Sequence, residues 1–160
     1  FPSIMLLVPF YKILSVYGLN NSLVGLCIVY VSFTIPFCSW MMVGYFRTIP
    51  TEIDESAAID GASHLQTFWK IALPLVKPGL VSSAIYAFIT CWNEYMFAAI
   101  LLVNDKLKTA AVAIAEMNGY YKIAWNDMMA ASLVASVPLI IAFVFMQKSF
   151  ISGLTAGAVK

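Results

Sequence analysis

Two polar clusters interrupt a chain otherwise written in apolar side chains. The larger, residues 50–74, reads PTEIDESAAIDGASHLQTFWKIALP and holds half of the 8 acidic residues and the only histidine. The smaller is Trp92-Asn93-Glu94-Tyr95, in which Glu94 is the one acid within an apolar run. Carboxylates of this kind can move protons, hold cations or dock on a basic partner. Proton chemistry finds little support: Glu94 has no acid–base partner nearby in sequence, His64 stands alone, and neither GxSxG nor HExxH occurs. No residue is assigned a catalytic role. There is also no GxxxxGK[ST], so the chain has no Walker loop and any ATP energy must come from another subunit. Cys27, Cys38 and Cys91 sit in apolar runs without CxxC or Cys/His spacing. They read as small buried residues, with neither a metal site nor a disulfide framework indicated.

The elements that must position the larger cluster are two short helices with a bend between them. Thr51 has the chemistry of an N-cap, with Asp54 completing a capping box and Pro50 just ahead. Glu52, Asp54 and Glu55 are expected in the first turn, where the helix dipole favours negative charge. Gly61 supplies the stop or bend. Ser63 and Gln66 form a second capping box, Phe68, Trp69 and Ile71 give the second helix an apolar side, and Pro74 ends it or marks a break. On the first helix, Ala57 with Gly61 and Ala58 with Ala62 are four apart, a spacing that lets another backbone approach closely. Docking on a partner and lying on the membrane surface as an amphipathic connector both explain these features.

The smaller cluster lies roughly 24 Å along a helix counted from Pro78. An ionisable group at such depth usually faces a bundle interior or an aqueous path. Aromatic rings beside hydrogen-bonding groups suit sugars, whose faces are partly apolar and whose rims are hydroxyls. Trp92, Asn93, Glu94 and Tyr95 are therefore candidates to line a translocation pathway. Two plainer roles stay open: interfacial anchoring by the aromatics, and capping or bridging of helices by Glu94.

Composition sets the class. The chain has 160 residues, is 62% hydrophobic and 11% charged, and has a mean hydropathy of +0.88. An ordinary soluble domain carries about a quarter charged residues. The net charge of +1 argues against a nucleic-acid surface. Apolar runs predict an all-α, polytopic membrane bundle with about four spans, near residues 1–16, 22–46, 78–103 and 128–146. Pro36 is expected to kink the second span and Pro138 lies within the fourth. Residues 104–127 form a second loop, which reads as a packed cap over the helices. The segment 147–160 reads as a polar, glycine-bearing tail. Phe1 opens an apolar run with no basic n-region or cleavage site, so it is not read as a signal peptide, and a missing N-terminal part is expected. With four spans, Arg47, Lys70, Lys77, Lys148 and Lys160 share one side, against Lys12, Lys106, Lys108 and Lys122, a balance too even to orient the chain.

Glu55-Ser56-Ala57-Ala58-Ile59-Asp60-Gly61-Ala62, followed by Ile71-Ala72-Leu73-Pro74, resembles the EAA loop of ABC importer permeases. Ser56 stands where that family usually has alanine. Trp92-Asn93-Glu94-Tyr95 resembles a motif of carbohydrate-type permeases, the group that includes the maltose importer. Leu154-Thr155-Ala156-Gly157-Ala158-Val159-Lys160 is similar to the ending of sugar permeases, and Gly18-Leu19-Asn20-Asn21-Ser22 and Pro36-Phe37-x-x-Trp40 also fit. The resemblance covers essentially the whole chain and implies the C-terminal portion of a subunit that usually has six spans. It places residues 50–74 in the cytoplasm as a coupling helix pair and residues 104–127 outside. By the same resemblance Glu55 meets a basic residue of an ATPase, Ser56, Ala57, Ala58, Gly61 and Ala62 belong to the coupling surface, and Asp60 braces the bend. The partners implied are a cytoplasmic ATP-binding subunit dimer, a second permease subunit, an extracytoplasmic solute-binding protein and membrane lipid. ATP and Mg would sit on the partner, with no cofactor on this chain. The function implied is ATP-driven import of a sugar across the cell membrane. The rivals are a secondary transporter or channel subunit using Glu94 for ion coupling, and a membrane enzyme completing an active site around Glu94 from another span.

Overall fold

The computed structural model describes residues 2–119 and 124–158, and among them there is no β-strand. Phe1 of the first apolar run, Tyr120, Tyr121 and Lys122 of the second loop, and the Val159-Lys160 ending lie outside the described residues. The chain divides into two units, one made of Phe1–Ile35 with Phe88–Ile141, the other of Pro36–Ala87 with Ala142–Lys160.

The first unit is built on a buried apolar cluster. Helix α1 (Leu7–Val16) follows a 3-10 turn at Ser3–Leu6 and contributes Leu14. Its end is a Schellman motif: the Gly18 N–H donates to the Ser15 carbonyl at 3.1 Å and the Leu19 N–H to Leu14 at 2.8 Å. Gly18 has φ +65°, which glycine adopts without a Cβ clash. Helix α2 (Leu23–Phe46) starts where Ser22 Oγ accepts from the Gly25 N–H at 3.0 Å, an N-cap bond. Leu26 and Val29 of α2 join Leu14 in the cluster, with Phe97, Ala98, Leu101 and Leu102 and with Val112 of the second loop. Phe10, Phe33 and Phe97 form a ring triangle with centroids 5.1–6.1 Å apart.

The expected third span is not continuous. Helix α6 (Lys77–Trp92) stops, and a short helix α7 (Met96–Leu101) begins after Asn93-Glu94-Tyr95. The break has an electrostatic cause. Glu94 Oε1 accepts from the Phe97 N–H at 2.8 Å and Oε2 from the Ala98 N–H at 3.1 Å, so the carboxylate satisfies two amides of α7 that have no partner within the helix. Oε2 also accepts from the Tyr30 hydroxyl at 2.9 Å, tying α7 to α2. Trp92 donates its indole N–H to the Ala135 carbonyl of helix α9 (Trp125–Ala158) at 3.1 Å. That carbonyl lies one turn before Pro138, where a proline disturbs the backbone ladder and leaves acceptors for neighbours.

The second loop is folded. A 3-10 turn at Asp105–Leu107 precedes helix α8 (Ala110–Glu116), whose Val112 is buried in the core cluster. The described residues of this loop thus pack on the core through Val112. Lys108 Nζ pairs with Asp105 at 2.6 Å and Glu116 at 2.7 Å. Hydrogen bonding to Lys108 holds the Asp105 carboxyl below its ordinary range, and the two carboxylates raise the Lys108 ammonium.

In the second unit, helix α3 (Thr51–Ile59) turns at Gly61 into α4 (His64–Thr67), which continues through a π-helical turn (Phe68–Ala72) and α5 (Leu73–Leu75). Pro74 does not end this helix. It lacks the N–H of a regular turn, the preceding backbone widens to a π turn, and the helix stops one residue later at Leu75. The chain then bends by 70° into α6. Phe37 packs on Tyr86 with centroids 4.1 Å apart.

Two helical stretches, Leu23–Phe46 and Trp125–Phe145, are long and apolar enough to cross a membrane, and the bent pair His64–Leu75 with Lys77–Trp92 makes a third candidate. Ser3–Val16 is a shorter apolar helix. Pro36 is accommodated inside α2 and falls where the two units divide. The last helix begins at Trp125, ahead of the expected start, and runs on through Ala158, so the expected polar tail continues the helix. Cys27 is exposed, whereas Cys38 and Cys91 are partly buried, so burial is not a property the cysteines share.

Removing the Glu94 carboxylate leaves two amides of a buried helix unsatisfied. Glu94→Ala is expected to cost about 3 kcal/mol, Glu94→Gln about half of that, and Tyr30→Phe about 1 kcal/mol. Thermal unfolding of the full-length protein in detergent measures the order; equal shifts for the three would remove the cap as the cause of the break. For the Lys108 pairs, the depressed Asp105 group stabilises above its ordinary pKa and loses that contribution as pH falls through its folded value. The raised Lys108 group stabilises below its ordinary pKa and loses it as pH rises through its folded value. Both charges are present near neutrality, and Lys108→Gln is expected to speed hydrogen exchange across α8 by only a few-fold, since exposed ion pairs are weak. A large acceleration would mean that Lys108 rather than Val112 holds the helix down.

Candidate functional site

The α3–α4 element is assembled by local chemistry, though not entirely as its sequence predicts. Pro50, in extended conformation, takes the N-cap position and offers no side-chain acceptor, so the Thr51–Asp54 capping box does not form. Thr51 is already helical, which leaves its hydroxyl unable to cap. Glu52 and Asp54 occupy the first turn; Glu55 falls beyond it. The turn after α3 is a second Schellman motif: the Gly61 N–H donates to Ala58 at 3.1 Å and the Ala62 N–H to Ala57 at 3.0 Å, with Gly61 at φ +78°. The bend is thus braced by backbone, and Asp60 serves as its C-cap with an exposed side chain. The second capping box is present, with Ser63 N–H donating to Gln66 Oε1 at 2.9 Å and Gln66 N–H to Ser63 Oγ at 3.4 Å.

Exposure sorts the seven candidate residues of this element. Glu55, Ser56, Ala58, Asp60 and Gly61 are exposed and Ala62 is half-buried. Ala57 is buried at 5% exposure, so its small side chain serves the chain's own packing and is unavailable as a contact surface. Ser56 donates its hydroxyl to the Glu52 carbonyl at 2.7 Å, so a serine at this place brings no unsatisfied polar group. Ala58, Gly61 and Ala62 line one wall of a groove of about 760 Å³, which Phe46, Asp54 and Phe68 also line. The arrangement offers an acidic, close-approach helix beside a concave surface.

The four residues of the smaller cluster part company. Trp92 and Glu94 are spent on helix packing, through Ala135 and through the amides of α7. Asn93 donates its side-chain amide to the Ile89 carbonyl at 2.9 Å, and its residue is exposed. Tyr95 is 49% exposed. Asn93 and Tyr95 are therefore the exposed members of the cluster. Sequence reasoning missed two residues here. Asn21, at φ 52°, accepts from the N–H groups of both Val103 and Asn104 at 2.9 Å through Oδ1 and gives its own N–H to Leu101 at 3.0 Å. An asparagine beside a glycine turn is a signal for such a conformation. Tyr30 carried no such signal.

Residues 1–155 match the family described as binding-protein-dependent transport system inner membrane component. The trehalose/maltose transport system permease protein of Thermococcus litoralis is 40% identical over 161 residues, covering 100% of this chain and 58% of that protein. An inner membrane ABC transporter permease protein of Escherichia coli is 39% identical, with 100% and 57% covered. The maltodextrin transport system permease protein of Bacillus subtilis is 38% identical, with 99% and 58% covered. A crystal structure of a bacterial ABC transporter involved in import of the acidic polysaccharide alginate superposes with a TM-score of 0.73 at 26% identity, covering 89% of this chain and 55% of that one. The chain spans little more than half the length of these relatives. With almost its entire length matched, this chain belongs to the family of binding-protein-dependent transport system inner membrane components.

Proposed function

We propose that the chain is the C-terminal part of a permease subunit of an ATP-driven importer for a sugar or sugar derivative. The observation that carries the reading is the exposed, acidic helix α3, closed by the Gly61 turn and set beside a groove. Relatives named for trehalose, maltose and maltodextrin support the substrate class. In this reading residues 50–74 lie in the cytoplasm. Glu55 meets a basic residue of an ATP-binding subunit, Ser56, Ala58, Asp60, Gly61 and Ala62 form the approach surface, and Ala57 supports it from inside. ATP and Mg are held by that partner, a dimer whose closure moves the helix pair and through it the spans. A second permease subunit completes the path, and a solute-binding protein delivers ligand opposite, at the side of residues 104–127. Asn93 and Tyr95 are the residues of the smaller cluster best placed to line the path, with Trp92 and Glu94 fixing their positions. An ion-coupled transporter using Glu94 fits less well, since both oxygens of that carboxylate are already engaged by amides and a hydroxyl.

Glu55→Lys replaces an attractive charge by a repulsive one and is expected to weaken ATPase association by roughly a hundredfold or more. Pull-down of the full-length permease from mild detergent tests this. Loss of the ATP-binding subunit in the variant supports the docking element, and retention at wild-type level removes it. Gly61→Val forces a branched side chain into the left-handed region, at about 1–2 kcal/mol of strain. It should abolish uptake in cells while the protein still inserts; uptake at the normal rate would show that the turn does not transmit motion.

A further inference from the structure

The two halves of the α3–α5 element differ in charge, while both expose apolar side chains, Ile59 of the first half at 86%. All four carboxylates, Glu52, Asp54, Glu55 and Asp60, precede Gly61, and none occurs between Asp60 and Glu94. The second half carries Lys70, is followed by Lys77, and lies in the same unit as Arg47; all three cations are exposed. It also exposes large apolar groups: Leu65 is 72% exposed, Trp69 63% and Phe68 39%. The aromatics form a set with the end of α2. Phe68 stacks on Phe46 with centroids 6.0 Å apart and an interplanar angle of 19°, and meets Trp69 edge-on at 5.4 Å.

This set sits where apolar spans give way to cations. Helix α2 ends at Phe46 with Arg47 next, and α6 begins at Lys77. The helix departs by 70° from α6; with α6 upright in the bilayer, that angle would carry it close to the bilayer plane. Tryptophan and phenylalanine beside lysine, at that level and in that attitude, are the side chains of an interfacial helix. Residues 64–75 bear a lysine and no carboxylate of their own, a composition that complements anionic headgroups and would gain nothing from zwitterionic ones.

We propose that helix His64–Leu75 is a membrane-interface anchor, with Leu65 and Trp69, which do not line the groove, seated in the headgroup layer and Arg47, Lys70 and Lys77 meeting anionic lipid. The acidic half, α3, then faces away from the lipid. The inference rests on the membrane location of the chain and does not depend on the importer reading.

The test places the photoreactive residue p-benzoylphenylalanine at position 69, and separately at position 55, of the full-length permease in its assembled complex. Nanodiscs of phosphatidylglycerol are compared with nanodiscs of phosphatidylcholine. Position 69 is expected to give lipid adducts about tenfold more abundant than position 55. These adducts should favour phosphatidylglycerol, and Lys70→Gln should lower that preference by roughly fivefold. Cross-linking of position 69 to a protein subunit, or equal lipid yield in both headgroups with and without Lys70→Gln, overturns the proposal. A missing cross-link from position 55 to the ATP-binding subunit counts against the importer reading alone.

Discussion

A carboxylate placed against the amino end of a short, buried helix organises the first unit. Helix α7 runs only from Met96 to Leu101, too short to be stable by itself in water, and its first amides would be unsatisfied in an apolar core. Glu94 answers two of them and reaches Tyr30 with the same group. The buried side chains Phe97, Ala98 and Leu101 follow directly, and Leu14, Leu26, Val29 and Val112 pack on them. In a low-dielectric surrounding, a charge held by several donors is far better tolerated than an isolated one. The acid that looks most like a functional group is therefore also the group that permits the span to break.

The two glycine turns show the same economy of means. At Gly18 and Gly61 the helix end is closed by paired backbone bonds, so each reversal depends on one residue's freedom to take positive φ. At Gly61 this leaves the acidic side chains of α3 free for outside contact, since none is needed to brace the bend.

Much of this was legible in the residues. The helical membrane class followed from composition, the Gly61 stop and the Ser63–Gln66 box from local chemistry, and the family from motifs spread along the chain. The misses have a common origin. The Thr51 box was judged from residue preferences, but the observed start depends on where Pro50 sets the entry into α3, whereas Pro74 does mark a break, one residue before the 70° bend. Apolar periodicity likewise carries a helix straight through Asn93-Glu94-Tyr95; capping or bridging by Glu94 was one of the roles its residue type left open, but the backbone donors that fix the break leave no trace in side-chain pattern. Asn21 and Tyr30 act on partners far along the chain, and a single sequence does not pair them.

The division of the chain into two discontinuous units bears on how it is made. Tyr30 and Glu94 are separated by 64 residues, and the whole of 36–87 from the other unit is synthesised between the two halves of the first. At ribosomal rates of about 5–20 residues per second, the first half waits roughly 3–13 seconds for its partners. During that interval Tyr30, Leu26 and Val29 lack the part of their core that Phe97, Ala98 and Leu101 supply. The Glu94 cap therefore reaches α2 only after all of the intervening residues have been made.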